Sequence, residues 1–210
     1  MVRWERPILR STPLILPPAF YERDTVTVAK DLLGCLLAHR EGAKTTMGWI
    51  VEVEAYLQGD PAAHSYRGKT KRNSVMFGPP GRAYLYRIYG LHTCINVVTG
   101  PEGTGEAVLI RALEPVTGIE LMQERRGTDD PLALASGPGK LTQALGITTD
   151  LNGASLSGDH LQILSPASLP GRRPEGAKGE IVQTTRIGIT KAADRPLRFY
   201  LKGSRYVSRR

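Results

Sequence analysis

The chain has 210 residues, enough to bury a complete hydrophobic core, so that neither a metal nor a disulfide is needed for folding. Its formal net charge is +8, and residues 171–210 hold eleven Lys/Arg against three acids; this favours a polyanionic partner, although a solvated basic face is equally compatible with it. No signal-peptide core and no run of about 18 apolar residues is present, which argues against a membrane protein and predicts a cytoplasmic one.

The first half of the chain predicts a helix followed by strands. Val28, Leu32 and the leucines after them stand at helical spacing, with Asp24 or Thr25 as the N-cap. In chain order the predicted elements are a helix over 23–41, a strand over 46–57, a basic, glycine-rich loop over 58–80, and two strands within 83–98 joined by a turn near Gly90.

The second half adds further strands and two helices. The predicted elements are a strand over 105–115 that Pro115 ends, helices over 116–127 and 139–147, and short strands within 161–164 and 181–190. Cys35 and Cys94 stand in apolar runs without metal-ligand spacing, which indicates buried free thiols. The pattern predicts one α+β domain over 1–210, a curved, largely antiparallel β-sheet flanked by helices, with an extension at 1–20 and a basic part at 171–210.

The strand "VEVEAY" carries the first candidate site. Alternation puts Val51, Val53 and Ala55 on one face, and Glu52, Glu54 and Tyr56 on the other, with His64 just beyond the strand. A carboxylate beside an apolar wall can take a proton from water as a general base. The same carboxylates with Asp60 and His64 would also suit a divalent metal, and exposed carboxylates beside a structural histidine remain a third interpretation.

Three further groups could carry chemistry. Tyr84 and Tyr86 share a strand face, and Tyr89 stands at the turn, where an aromatic ring can replace a base that has left a duplex; packing of the core is the alternative. The run Ser136–Lys140 opens a helix and suits a phosphate, although many helix starts look alike. Asn96 and Arg111 on strands could line a polar pocket or serve as structural hydrogen-bonding residues.

Taken together, these residues resemble the alkyladenine (3-methyladenine) DNA glycosylase family. The resemblance extends over about half of the chain, from residue 48 to 147, in the order of the family. The matching stretches are "IVEVEAYLQGDPAAHS", "RNSVMFGPPGRAYLYRIYGLHTCINVV", "AVLIRALEPVTGIE" and "SGPGKLTQALGI". Gly139 departs from the family pattern because serine is common there, and the connection over 97–110 is longer.

The resemblance implies a monofunctional enzyme that flips a damaged purine out of double-stranded DNA and hydrolyses its N-glycosidic bond. It implies the following roles: Glu54 as general base, Arg111 positioning the water, Tyr56, His64, Tyr86 and Asn96 around the base, Tyr89 as wedge, and Ser136, Gly137, Gly139, Lys140 and Arg72 on the DNA backbone. No cofactor, metal or membrane is expected, and the protein should be a monomer. A noncatalytic nucleic-acid-binding protein and a metal-dependent nuclease are the alternatives.

Overall fold

A computed structural model describes residues 14–88, 90–176 and 179–209. Its helices and strands are, in chain order, α1 (Pro18–Tyr21), α2 (Thr25–Leu32), β1 (Leu36–Glu41), β2 (Lys44–Tyr56), β3 (Ala83–Ile88), β4 (His92–Thr99), β5 (Glu106–Thr117), α3 (Ile119–Arg126), α4 (Pro131–Leu134), α5 (Pro138–Leu145), β6 (Leu161–Leu164), β7 (Ile181–Thr184) and β8 (Arg198–Leu201). Short 3₁₀ turns lie at Ser74–Phe77, Thr149–Leu151 and Pro166–Ser168.

The strands form one antiparallel sheet in the order β3-β4-β5-β2-β1-β6, with β8 pairing with β2 and β7. The predicted α+β class, with a curved, largely antiparallel sheet and flanking helices, is confirmed. One core cluster joins α2 and α5 to the sheet, and a second, around Trp49, covers the opposite face. Cys35 and Cys94 are buried and free, as predicted.

The predicted helix over 23–41 is wrong in its second half. Asp24 caps α2, and its carboxylate accepts a hydrogen bond from the Thr27 N–H, but the helix ends at Leu32. Gly34 adopts φ +83°, a conformation that favours glycine, and the chain then continues as β1. Leu36 and Leu37 belong to different core clusters, so their apolar run reflects a strand buried on both faces.

Two other predicted boundaries also differ from the structure. Pro115 does not end its strand, because β5 continues through a bulge opposite Gly48 to Thr117, and α3 begins only at Ile119. The strand predicted over 181–190 stops at Thr184. The residues after it form an irregular segment that lies against the candidate site described below.

A bulge in β2 changes which side chains share a face. Val51 is an extra residue between Ile50 and Glu52 in the pairing with β5, and it packs with Trp49. Val53 and Ala55 pack in the other cluster, so the prediction that Val51 shares their face is wrong. At a second irregularity, Glu52 pairs with Ala112 and Val53 pairs with Ile110, so that Arg111 is an extra residue on β5. Such bulges re-aim side chains, and here Arg111 is brought beside two carboxylates.

Candidate active site

A cavity of about 500 Å³ opens beside β2–β5. Loop residues 62–76, the start of α5 and the segment 187–189 complete its wall. The wall includes six residues predicted for the site, namely Tyr56, His64, Arg72, Tyr86, Asn96 and Arg111. A concave, mainly apolar cavity with a few polar groups is the usual form of a small-molecule or base site.

Glu54 lies fully buried beneath this wall and contacts three of the residues that form it. Its Oε2 accepts a hydrogen bond from the Tyr56 hydroxyl at 2.9 Å, and its Oε1 accepts one from the Ile187 N–H at 2.8 Å. The Arg111 Nη1 lies 3.2 Å from Oε1. Burial, followed by the charge of Glu54, raises the pKa of Tyr56, so the phenol remains a donor that fixes the carboxylate.

Glu52 is also fully buried, but its carboxylate is bound by two arginine side chains. Its Oε1 lies 2.7 Å from Arg198 Nε and 3.3 Å from Arg111 Nε. The Ser208 N–H donates to Oε2 at 2.6 Å, and the Ser208 hydroxyl donates to Oε1 at 2.9 Å. Glu52 is thus paired with two arginines, and Glu54 is left as the carboxylate nearest the cavity.

Three aromatic rings form one wall of the cavity. The His64 and Tyr86 centroids are 4.4 Å apart, and the Tyr84 hydroxyl lies 2.9 Å from His64 Nδ1. Although the His64 side chain is exposed to the open cavity, its desolvation, followed by the charge of Arg72, lowers the pKa of the imidazole. Burial, followed by the Cys94 thiol, raises the pKa of Tyr86. The wall is therefore uncharged and aromatic, and suits a planar heterocycle.

Asn96 presents an amide at the same cavity. It is directly opposite Tyr84 in the β3–β4 pairing, and its Nδ2 donates to the Tyr84 carbonyl at 3.1 Å. This bond orients the side chain. A fixed amide at a base-sized cavity can discriminate between donor and acceptor groups on a ligand edge.

The loop that carries His64 and Arg72 is held by Asn73, a residue that sequence reasoning did not single out. Its Nδ2 donates to the carbonyls of His64 and Gly68, at 2.9 and 3.0 Å. Its Oδ1 accepts from the Thr70 N–H at 2.6 Å. Arg72, which was expected on the DNA backbone, lies on the cavity wall with its side chain exposed.

The predicted phosphate segment adjoins the cavity at the start of α5. Pro138 lines the wall, Gly137 is the N-cap, Ser136 is half-buried and Lys140 is exposed. A Cβ at Gly139 would meet His92 Cβ at 2.9 Å, so the glycine permits close contact between α5 and β4. The tip residue Tyr89, predicted as a wedge, lies outside the described residues.

Sequence reasoning missed the segment Ile187–Ile189, which supplies the cavity wall and the amide that binds Glu54. It also left Arg186 and Ser208 without a role. A backbone N–H leaves no side-chain pattern in the sequence from which its role could be predicted. In addition, the "RIGI" run was assigned to a strand because of its β-prone residues.

The described residues exclude two arrangements. No helix among them has the length and apolar character of a membrane span. Nor does that part of the chain bring together three or more His, Cys, Asp or Glu residues in a way that could hold a metal ion. In particular, Asp60 pairs with Arg186 and Glu52 with Arg111 and Arg198, so the metal set considered from the sequence does not converge.

Comparison with known sequences identifies the class to which this fold and site belong. The profile of the family "Methylpurine-DNA glycosylase (MPG)" matches residues 19–205, and the chain therefore belongs to that family. The chain is 78% identical over 197 residues to a protein of Methanoculleus marisnigri. The aligned region covers 94% of this chain and 100% of the relative.

A relative from Carboxydothermus hydrogenoformans is 52% identical over 197 residues, with coverage of 94% of this chain and 100% of the relative. A relative from Rhizobium etli is 54% identical over 191 residues, with coverage of 91% and 87%. All three carry the name "Putative 3-methyladenine DNA glycosylase". The resemblance drawn from four stretches thus extends over nearly the whole chain.

Proposed function

We propose that the protein is a monofunctional DNA glycosylase of base excision repair. It flips alkylated purines such as 3-methyladenine and 7-methylguanine out of duplex DNA and hydrolyses the N-glycosidic bond. The observation that carries this proposal is the fixed carboxylate of Glu54 directly beneath an aromatic, base-sized cavity. Family membership and the names of the relatives support the same reaction class.

In the proposed reaction Glu54 accepts a proton from a water molecule, whose oxygen forms a bond to the sugar C1′. The bond between C1′ and the base nitrogen breaks, and its electron pair leaves with the base. An alkylated purine already carries positive charge and leaves readily. One carboxylate can then suffice, which agrees with Glu52 being held by Arg111 and Arg198.

The other polar groups would prepare Glu54 for this step. The Tyr56 hydroxyl and the Ile187 N–H hold its two oxygens, while Arg111 pairs with it and helps to place the water. Asn96 would select against the exocyclic amine of neutral guanine, whereas the positive charge of 7-methylguanine favours its stacking on the aromatic rings. No lysine is among the described residues of the cavity wall, so a Schiff-base lyase step is not expected.

The remaining sequence predictions complete the proposal. Tyr89 would fill the space left by the flipped nucleotide, and Ser136–Lys140 with Arg72 would contact the DNA backbone. These contacts should make binding fall steeply with salt but change little with sequence. The protein would act as a monomer in the cytoplasm, where it reaches genomic DNA.

The test compares wild type with Glu54→Gln on duplexes containing 3-methyladenine or 7-methylguanine, in EDTA, by measuring released free base. Glutamine retains the shape and one acceptor but cannot take the proton, so we expect binding without turnover. Glu120→Gln, the same change on the exposed face of α3, is the matched control and should retain full activity.

Two results would contradict the proposed function, and a third would contradict the role of Glu54. Tight binding without base release by wild type would indicate a binding protein. Strand breaks that form without alkali, and that do not form when EDTA is present, would indicate a metal-dependent nuclease. Full activity of Glu54→Gln would leave the glycosylase assignment intact but exclude Glu54 as the base.

A further inference from the structure

A buried ion pair lies directly behind Tyr56 and outside the cavity. The side chains of Asp60 and Arg186 are both fully buried. Arg186 binds the carboxylate with two nitrogens, Nη1 to Oδ2 at 2.5 Å and Nη2 to Oδ1 at 3.1 Å, and Nη1 also donates to the Ala55 carbonyl at 3.1 Å. This bidentate geometry fixes the guanidinium plane.

The same guanidinium covers one face of the Tyr56 ring. Arg186 Cζ lies 4.7 Å from the ring centroid, a cation–π distance. Tyr56 lines the cavity, but neither Arg186 nor Asp60 does. The ring therefore separates the ion pair from whatever occupies the cavity.

We propose that Asp60 determines specificity for charged bases, because it neutralises Arg186 behind Tyr56 and so lets a cationic purine stack on the cavity side of the ring. This inference rests on the proposed function and on the expected place of Tyr56 beside the flipped base. Asp60 and Arg186 do not touch the substrate and act through Tyr56.

A cation stacked on the opposite face of Tyr56 would lie roughly 9 Å from the Arg186 guanidinium, because an offset-stacked spacing adds to the distance from that group to the ring centroid. Without Asp60, the charge of Arg186 would be uncompensated at that separation. Both charges would compete for the electron density of one ring, and the half-buried ring between them limits screening by salt. A neutral base would experience almost none of this repulsion. Asp60 would thus affect cationic and neutral bases differently.

The surroundings of Asp60 favour its charged form. Burial alone would raise its pKa, but hydrogen bonds from Arg186 and the Ala62 N–H, together with nearby positive charge, hold the pKa below its ordinary value. Arg195 adds a partly exposed guanidinium 3.9 Å from Oδ2. On the cavity side, Glu54 is the acid that contacts Tyr56, and it remains unchanged in the variants below.

The experiment measures dissociation constants for duplexes with 7-methylguanine, which is cationic, or hypoxanthine, which is neutral. Both nucleotides carry a 2′-fluoroarabino sugar, which resists hydrolysis, so that binding is measured without turnover. Asp60→Asn should weaken binding of the cationic duplex about tenfold relative to the neutral one, whereas Arg186→Met should keep the preference at or above that of wild type. Asp60→Asn/Arg186→Met, in which both charges are absent, should restore the wild-type preference.

Asp31→Asn is the matched control, since it makes the same change in an exposed pair with Arg23 and should leave the preference unaltered. Equal weakening of both duplexes by Asp60→Asn, or a reduced cationic preference in Arg186→Met, would overturn the inference. If Asp60→Asn does not fold, the cationic preferences of Arg186→Met and of the double variant still test the inference. If wild type binds neither modified duplex better than undamaged DNA, both the proposed function and the inference fail, and that result is read from wild type alone.

Discussion

Glu52 and Glu54 lie two residues apart on β2, and Arg111 contacts both carboxylates, at 3.3 and 3.2 Å. Two buried anions so close would repel each other without that guanidinium. Arg198 supplies the second positive charge at Glu52, so the buried cluster contains equal numbers of carboxylates and guanidinium groups. The two acids thus differ in their contacts: Glu52 binds two arginines, and Glu54 contacts three residues of the cavity wall.

Glu52→Gln should therefore destabilise the protein and also slow base release. The change removes the charge that holds two nearly buried guanidinium groups, and breaking such a pair costs about 3–5 kcal/mol. Urea unfolding measures the loss of stability, and single-turnover base release measures the misplacement of Arg111. Glu175→Gln, in an exposed pair with Arg205, should change neither quantity appreciably, and a wild-type free energy of unfolding for Glu52→Gln would contradict the argument.

The imidazole of His64 should titrate below its ordinary value, and Arg72 should contribute to that shift. Arg72→Met removes a positive charge that disfavours protonation, so we expect it to raise the pKa of His64. Titration of the imidazole by NMR measures both values, with Lys71→Met as the control for removing a neighbouring charge. A pKa that does not move in Arg72→Met would show that desolvation alone lowers it.

The same shift sets the direction of a pH effect on stability. A pKa lowered by folding means that the unfolded chain binds the proton more readily. The contribution of His64 is then fully present above its unfolded value of about 6.5 and is lost as pH falls below it. Wild type should lose more stability than His64→Gln between pH 7 and 5, whereas the exposed His160→Gln should follow wild type.

Gly118→Ala should be much more destabilising than Gly127→Ala, although the two glycines flank the same helix. Both adopt positive φ, +73° and +63°, which costs about 1–2 kcal/mol for a residue with a Cβ. A Cβ at Gly118 would also lie 2.6 Å from the Thr45 carbonyl oxygen, whereas nothing lies within 4 Å at Gly127. Denaturant unfolding should show the difference, and equal losses for the two variants would mean that backbone strain alone matters.

The alternation of β2 was enough to predict that Glu54 and Tyr56 share a face, because neither bulge lies between them. The prediction failed for Val51, since this extra residue reverses the alternation. No local pattern in the sequence indicates the bulge. The tyrosines and His64 could be expected near the carboxylate from their place in adjoining strands and loops. Their assigned roles still depended on the family resemblance.

Other parts of the site depend on distant contacts that local pattern does not contain. Ile187 contributes its backbone N–H, which every non-proline residue possesses. The helical spacing over 33–41 was overridden by Gly34 and by pairing of β1 with β2 and β6. In both cases tertiary contacts, and not the intrinsic preference of the segment, decide the outcome.

The bonds from Ser208 to Glu52 join residues 156 positions apart, and this separation has a consequence for biosynthesis. During translation the long strand that carries both acids emerges well before the serine that completes their surroundings. Until Ser208 is in place, Glu52 lacks two of its hydrogen bonds and can be held only by solvent, Arg111 and Arg198, which leaves a buried carboxylate incompletely satisfied. The strand that carries both acids can therefore reach its mature environment only when synthesis is nearly complete, so a released chain truncated before Ser208 should have a complete sheet but an unfinished site.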